Sequence, residues 1–374
     1  MDGERVTAPT AFMQRALDAG ASVRGSTSPN PWVGAVLVRD GEIVSVGATA
    51  PPGGPHAEAS ALTGTDARGA ELYIMLEPCA PFEGKRTRPC AEAIIEAGCR
   101  RVVIAMEDPD PNVRGRGTAM LRAAGVEVEV GDGAESAMAL LRPYVKHRRT
   151  GRPYVIAKFA ASLDGRTASR TGDSKWITGE AARARAHEER ARVDAILVGS
   201  GTVLADDPAL TARPGGERTE RQPHRVVLDA RGRTPIGARL FSEPGNTIVA
   251  TTGEAHPAWK QSLAERGVGV IECERDRSGP GVDLDQLLAA LGQRGILSLW
   301  AEGGGTVLGS LFDGGHVDEV WAFLAPMIIG GSGLPAVAGE GADVVAHAWR
   351  LSSTSIETLD QDVLVRGYTG NWMP

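Results

Sequence analysis

Cysteine is scarce. The 374 residues contain four, at 79, 90, 99 and 273. Such uneven spacing in a long chain makes no disulfide framework and fits reduced thiols in a cytoplasmic protein. Aromatic residues are only 5% of the chain, so the cores must be built mostly from Ala, Val, Leu and Ile. No apolar run reaches the roughly 18 residues of a membrane-spanning helix. The start, MDGERVTAPTAFMQRALDAG, is charged and lacks the apolar centre of a signal peptide. An excess of basic charge is also missing, with 40 Lys and Arg against 47 Asp and Glu and a formal net charge of −7. That balance disfavours nucleic acid and anionic membrane as partners, while leaving room for a local basic pocket. What the chain has in quantity is glycine, 48 residues, and proline, 23, which imply many tight turns.

The length suits two domains of roughly 150–200 residues. The clearest division lies in the basic stretch RPYVKHRRTGRP, Arg142 to Pro153, which carries a proline near each end. The boundary is placed at 148, giving domains 1–148 and 149–374. In both halves strand-like and helix-like segments alternate, the pattern of an α/β layer fold. WVGAVLVRDGEIVSVG reads as two strands about a turn at Arg39-Asp40-Gly41. HAEASAL reads as a helix, AELYIML as a strand, and PCAEAIIEAG as a helix opened by Pro89 and closed by Gly98. In the second half, YVIAKFA, AILVGS, HRVVLDA, NTIVATTG, SLWAEGG, EVWAFLAP and DVLVRGY read as strands.

His56, Cys79 and Cys90 have the ligand chemistry of zinc. Three protein ligands leave a fourth position for water, whose pKa zinc lowers to about 7, so that a hydroxide is available at neutral pH. Glu58 is spaced to shuttle protons to a leaving ammonia. A ligand histidine, a Glu that is not a ligand and Pro-Cys pairs match the logic of zinc nucleobase deaminases. The cysteines stand further apart than in a CxxC knuckle. The intervening loop, APFEGKRTRP, carries Lys85, Arg86 and Arg88 and suits an anionic, phosphorylated substrate. Cys99 and Cys273 read as inert core thiols.

The second half offers glycine turns at strand ends. Gly199-Ser200-Gly201 follows AILV, and Gly303-Gly304-Gly305 follows WAE and precedes a helix. Such turns let backbone N–H groups approach a phosphate. The GxGxxG fingerprint is absent. Asp206 and Asp207 precede a proline, the usual setting of a turn, and Lys158 interrupts an apolar strand, either at its end or held for a site.

SPNPWVGAVLV, GGPHAEASAL, LEPC with GKRTRPC, and EDPDPNVRGRG closely resemble the deaminase half of the bifunctional riboflavin-biosynthesis deaminase–reductase family. KFAASLDGRTA, SKWIT, TVLADDPALTAR and AEGGGT resemble its reductase half. The resemblance runs from about residue 10 to 370. It implies a cytidine-deaminase-like three-layer α/β/α domain followed by a dihydrofolate-reductase-like α/β domain. It also implies deamination of a ribosylaminopyrimidine 5′-phosphate, then NADPH-dependent reduction of the ribosyl group to ribityl, in a homo-oligomer. By this resemblance His56, Cys79 and Cys90 bind one zinc ion and Glu58 is the proton shuttle. Asn30 and Lys85 contact the deaminase substrate. Ser174, Arg190, Leu210, Arg213 and Glu302 contact the reductase substrate. Trp176, Thr202 and Asp206 line the NADPH side, with Gly303, Gly304 and Gly305 at its pyrophosphate. Lys158, Asp206 and Glu302 are the polar residues expected near the reacting sugar, and Arg231 or Arg233 is suggested for the 2′-phosphate.

The chain departs from the family's pattern at three places. Ala80-Pro81 stands where the family usually has Ser-His, the following loop is two residues longer, and Thr49 replaces a common histidine. These differences leave the ligand set intact and change the shell around the substrate. A second reading is therefore the same reductase fused to a deaminase of altered substrate or weak activity. A third, a nucleic-acid-editing protein, is opposed by the acidic charge and by the lack of aromatic–basic stretches.

Overall fold

The computed structural model describes residues 8–83, 87–277, 279 and 281–370. They divide into two compact units on either side of the Gly151–Arg152 bond.

In chain order the first unit contains α1 (Ala11–Ser22), β1 (Gly34–Arg39), β2 (Glu42–Ala48), α2 (Ala57–Leu62), β3 (Glu71–Ile74), α3 (Cys90–Ala97), β4 (Arg101–Ile104), α4 (Arg116–Ala123), β5 (Glu127–Val130) and α5 (Ala134–Thr150). Asp40 and Gly41 join β1 to β2 with φ of 50° and 81°, the two positive values that a tight hairpin turn requires. The sheet runs β2-β1-β3-β4-β5. β1 is antiparallel to both neighbours, and β3, β4 and β5 are parallel. Ligand-binding loops of parallel strands lie at their carboxyl ends, and those of β3 and β4 are adjacent here.

The basic stretch placed at the domain boundary is helix. α5 runs through residue 148 and includes Pro143. Its buried Ala137, Leu141, Tyr144 and Val145 recur at the spacing of one helical face, and that packing outweighs the local cost of proline. Gly151, at φ 70°, stops the helix, and its N–H bonds to the His147 carbonyl. The division between units therefore falls three residues beyond the expected position.

The second unit contains β6 (Tyr154–Ser162), β7 (Arg166–Ala168), α6 (Glu180–Arg190), β8 (Ala195–Gly199), α7 (Ser200–Asp206), β9 (His224–Leu228), β10 (Thr247–Thr251), α8 (Pro257–Glu265), β11 (Gly269–Glu272), α9 (Leu284–Gln293), β12 (Ser298–Ala301), α10 (Gly305–Asp313), β13 (Glu319–Ala325), β14 (Leu334–Pro335), β15 (Ser352–Leu359) and β16 (Asp362–Tyr368). The large sheet runs β11-β10-β9-β8-β12-β6-β13-β16-β15, and β14 pairs with β7 apart from it. It is parallel as far as β13, and β16 and β15 then add antiparallel. Successive residues of β6 enter two different cores. Val155 and Ala157 join Leu197, Leu288 and Leu299, while Tyr154 and Ile156 join Val198, Trp300 and Trp321. A sheet covered on both faces explains why its strands read as continuous apolar runs. β15 is the exception, an exposed and mostly polar edge strand, Ser352–Leu359, whose one exposed large apolar residue is Ile356.

Candidate functional sites

His56 is the residue before the first turn of α2 and makes no side-chain cap bond. α2 lies close on β2 because residue 47 is glycine: a Cβ there would come within 2.2 Å of the Ala57 carbonyl oxygen. Cys79 follows β3, and Cys90 opens α3 after Pro89. A second close approach supports the Cys79 loop. A Cβ on Gly117 of α4 would meet the Pro78 carbonyl oxygen at 1.9 Å, so only glycine lets that helix abut the loop.

These elements bring the three ligand residues together. His56 Nδ1 lies 3.7 Å from Cys79 Sγ and 3.4 Å from Cys90 Sγ. A tetrahedral zinc with ordinary Zn–S and Zn–N bonds holds its sulfur and nitrogen ligands about 3.6 Å apart, so the spacing fits the ion. All three ligand atoms lie within 4.8 Å of one another. The Cys90 N–H donates to Cys79 Sγ at 3.3 Å, which favours the thiolate that ligates.

A cavity of about 300 Å³ opens beside this centre, lined by His56, Glu58, Cys79 and Asn30 among others. Glu58 is buried, and burial, with Cys79 adding, raises its carboxyl to about 7. Thr49 also lines the cavity. Its hydroxyl is taken up by the Val33 backbone, accepting from the N–H at 3.1 Å and donating to the carbonyl at 3.3 Å. Ala80 is buried, and Phe82 packs on Cys79 and Cys90. Lys85 and Arg86 lie outside the described residues, and Arg88 pairs with Glu96.

The sequence reading gave no role to Glu77, Asp108, Asp110, Tyr144 or Arg148, which line the same cavity. Glu77 accepts from the backbone N–H groups of Asp108, Gly115 and Thr118 and so fastens the EDPDPNVRGRG loop after β4. Asp108 is buried, which raises its carboxyl to about 6, and Tyr144 donates its hydroxyl to both carboxylate oxygens, at 3.0 and 3.1 Å. The helical spacing of Leu141, Tyr144, Val145 and Arg148 was the available signal, masked by Pro143.

The second unit gathers a charged cluster. Glu302, just after β12, receives Arg190 through two bonds, Nε to Oε1 at 2.6 Å and Nη2 to Oε2 at 2.8 Å. Lys158 Nζ stands 3.6 Å from Glu302 Oε2. Burial works to raise the Glu302 carboxyl, but Arg190 and Lys158 outweigh it and hold the group at about 2. Burial pushes the Lys158 ammonium down, and Glu302 opposes that. His187, one turn before Arg190, is held down at about 4 by burial and then by Arg190 and Arg213. The sequence reading did not single it out. Leu210 is buried at φ 49°, and Arg213 is exposed at the start of a short turn.

A cavity of about 670 Å³ lies at the carboxyl ends of β8 and β12, which are neighbours in the sheet. Ser174, Thr202, Asp206, Glu302, Gly303 and Gly304 line it, with Asp206 at the exposed end of α7. Gly305 is the first residue of α10, whose N-cap Gly304 carries no side-chain bond. A Cβ on Gly201 would meet nothing within 4 Å, and one on Gly304 only Thr202 Oγ1 at 3.9 Å. The open space over Gly201 and Gly304 leaves room for a phosphate, whereas a Cβ on Gly199 or Gly303 would meet Val307 and one on Gly305 the Pro335 carbonyl. Arg231 and Arg233 also line this cavity, and Arg233 donates to Ser200 Oγ at 2.7 Å. Trp176 stands apart from the other expected cofactor residues. It is exposed under Arg183, 4.5 Å from its ring centroid, and lines a separate cavity of about 470 Å³ with Thr178, Met327 and Asp362.

The geometry defines a class: a zinc-type deaminase centre in one α/β unit, followed by an α/β unit with a large cavity at the carboxyl ends of its parallel strands. Comparison with known proteins agrees. The zinc-binding region of cytidine and deoxycytidylate deaminases matches residues 7–106, and the RibD C-terminal domain matches residues 153–365. The riboflavin biosynthesis protein RibD of Bacillus amyloliquefaciens is 41% identical over 356 residues, 94% of each chain. That of Escherichia coli is 40% identical, over 94% of this chain and 97% of its own. Acinetobacter baumannii RibD superposes with a TM-score of 0.86 at 37% identity, covering 96% of this chain and 97% of its own. A Thermotoga maritima diaminohydroxyphosphoribosylaminopyrimidine deaminase/5-amino-6-(5-phosphoribosylamino)uracil reductase gives 0.83 at 36%, with the same coverage.

The chain belongs to the RibD family, the bifunctional deaminase–reductases of riboflavin biosynthesis. It is an α/β protein with an N-terminal cytidine-deaminase zinc-binding domain and a C-terminal reductase domain of dihydrofolate-reductase-like fold. Both activities act on phosphorylated pyrimidine intermediates. Among the described residues no helix is long and apolar enough to cross a membrane.

Proposed function

We propose that the unit before Arg152 deaminates a diaminopyrimidinone ribosylamino 5′-phosphate and that the unit after Gly151 reduces the product's ribosyl group with NADPH. The observation that carries the first step is the spacing of His56 Nδ1 from the two cysteine sulfurs beside a buried Glu58. His56, Cys79 and Cys90 would hold zinc, which would supply an activated water. Glu58 is the group placed to carry a proton to the departing amine, a role that burial of its carboxyl favours. Asn30 contacts the substrate from the same cavity, and Lys85, outside the described residues, is proposed as a further substrate contact.

In the second unit the 303–305 glycines, Thr202 and Asp206 hold NADPH, which supplies the hydride, and Arg231 or Arg233 meets its 2′-phosphate. Trp176, which lines a separate cavity, is left out of this cofactor site. Glu302 accepts a hydrogen bond from the sugar, and its charge is kept by Arg190 and Lys158. Ser174, Leu210 and Arg213 complete the substrate side, the last as a phosphate donor. The four cysteines are buried and none forms a disulfide, which suits the reducing cytoplasm. The chain is further proposed to work as a homo-oligomer through the second unit's edge strand β15, where Ile356 is 75% exposed.

The test is to supply the phosphorylated pyrimidine with and without NADPH and to follow ammonia release and NADPH oxidation separately. Ammonia release that needs no NADPH, followed by NADPH oxidation on the deaminated product, is the expected result. Zinc-loaded protein that oxidises NADPH with the deaminated substrate yet releases no ammonia from its precursor would favour a deaminase of altered substrate, the reading that Ala80-Pro81 motivates.

A further inference from the structure

The deaminase cavity carries more acidic than basic side chains. Glu58, Glu77, Asp108 and Asp110 line it, and among its described lining residues Arg148 is the single lysine or arginine. A phosphate monoester brings roughly −1.5 to −2 charge at neutral pH. Such a group cannot settle against four carboxylates without a cation. The loop that the sequence nominated does not provide one within the described residues, since Arg88 is turned to Glu96.

Arg148 is fixed in place by neighbours from several elements. Its Nε lies 3.6 Å from Asp110 Oδ2, in the loop after β4. Its guanidinium carbon sits 5.0 Å from the centroid of the Tyr144 ring, one turn earlier on α5. Its Nη2 donates to the Pro29 carbonyl at 3.5 Å, beside Asn30. Tyr144 is itself held by the bonds from its hydroxyl to Asp108. The Arg148 side chain is 29% exposed, so its charge is partly withdrawn from water, where an ionic contact is stronger than on an open surface. A stacked guanidinium has a set plane, and its five donors allow it to keep Asp110 while meeting phosphate oxygens. The loops carrying Cys79 and Asp110 follow adjacent strands, so a ligand whose base lies at the metal reaches the neighbouring loop with its other end.

We propose that Arg148 is the residue of the deaminase cavity that binds the substrate's 5′-phosphate, with Tyr144 and Asp110 as its positioning residues. The proposal rests on the deaminase function of this unit. It accounts for the altered loop of this chain: phosphate recognition is carried by a helix, not only by the segment between the two cysteines.

The test uses the full zinc-loaded chain and compares ammonia release from the phosphorylated pyrimidine and from its dephosphorylated nucleoside, for the wild type, Arg148→Ala and Arg148→Lys. The expected result is a KM for the phosphorylated substrate raised about 10- to 100-fold in Arg148→Ala, the loss of a charge-assisted contact. Its kcat should stay within about threefold, its KM for the nucleoside should match the wild type, and Arg148→Lys should fall between. The zinc content and Tm of each variant, together with its rate on the nucleoside, report whether the deaminase unit is folded. Equal losses on nucleoside and phosphate would assign Arg148 a structural role and overturn the proposal, as would an unchanged KM. A wild-type chain that releases no ammonia from either compound would overturn the deaminase assignment beneath it, a result distinct from both.

Discussion

Glu58 lies two residues from His56 and is buried, so glutamine fits its place without a change of volume. Glu58→Gln is expected to retain zinc, measured by metal analysis, and to lose about 10²–10⁴ in the rate of ammonia release. NADPH oxidation with the deaminated substrate should be unaffected. Zinc loss in the variant would show that Glu58 helps hold the metal and is not only a proton carrier. Glu302 makes a pH prediction. Its carboxyl is held at about 2 in the folded chain against about 4.5 unfolded. A depressed acid adds stability that is present in full above the unfolded value and is lost as pH falls through the folded one. The stability difference between wild type and Glu302→Gln, followed by chemical denaturation, should thus be constant above about pH 4.5 and shrink toward pH 2. At neutral pH the substitution should cost ~3–5 kcal/mol, because Arg190 and Lys158 are left as buried charges without their partner. A gap that does not narrow in acid would mean that Glu302 is not ionised by this pair.

At the scale of elements, each site depends on how closely a helix is allowed to come. Gly117 of α4 lies against the Pro78 carbonyl, just before Cys79. Gly117→Ala should push the ligand loop and cost ~1–3 kcal/mol as an overpacked contact, read as lower Tm together with weaker zinc retention under chelator. Full retention with the wild-type Tm would show that the loop shifts freely. Much of the element pattern was legible in advance. The Asp40-Gly41 hairpin, Pro89 opening α3 and Gly98 closing it follow from local backbone chemistry, and the apolar strands from burial on both faces. α5 was not legible, because Pro143 and the run of basic residues look like a linker until the buried face of Leu141, Tyr144 and Val145 is known. β15 was missed for the opposite reason: an exposed edge strand needs only hydrogen bonds to β16, which leave no mark on composition.

At the scale of the whole molecule, residues lining the deaminase cavity come from positions 30–148 and those lining the large reductase cavity from 167–334. Removal of zinc should therefore abolish ammonia release and leave NADPH oxidation with the deaminated substrate intact. Loss of both on chelation would contradict this division of labour. The edge of the second unit makes a separate prediction. If copies associate through β15, Ile356→Lys should lower the mass measured by light scattering to that of a single chain. An unchanged mass would move the interface elsewhere.

The sequence by itself determined the ligand types, the Glu beside the histidine, the glycine loops and the order of the two chemistries, because each is carried by local spacing that survives without the fold. Tertiary structure alone decided which charges meet. The pairing of Glu302 with Arg190 spans 112 positions, and that of Tyr144 with Asp108 spans 36. No local pattern encodes such contacts, since they arise only when loops from adjacent strands and the face of a distant helix are packed around one cavity.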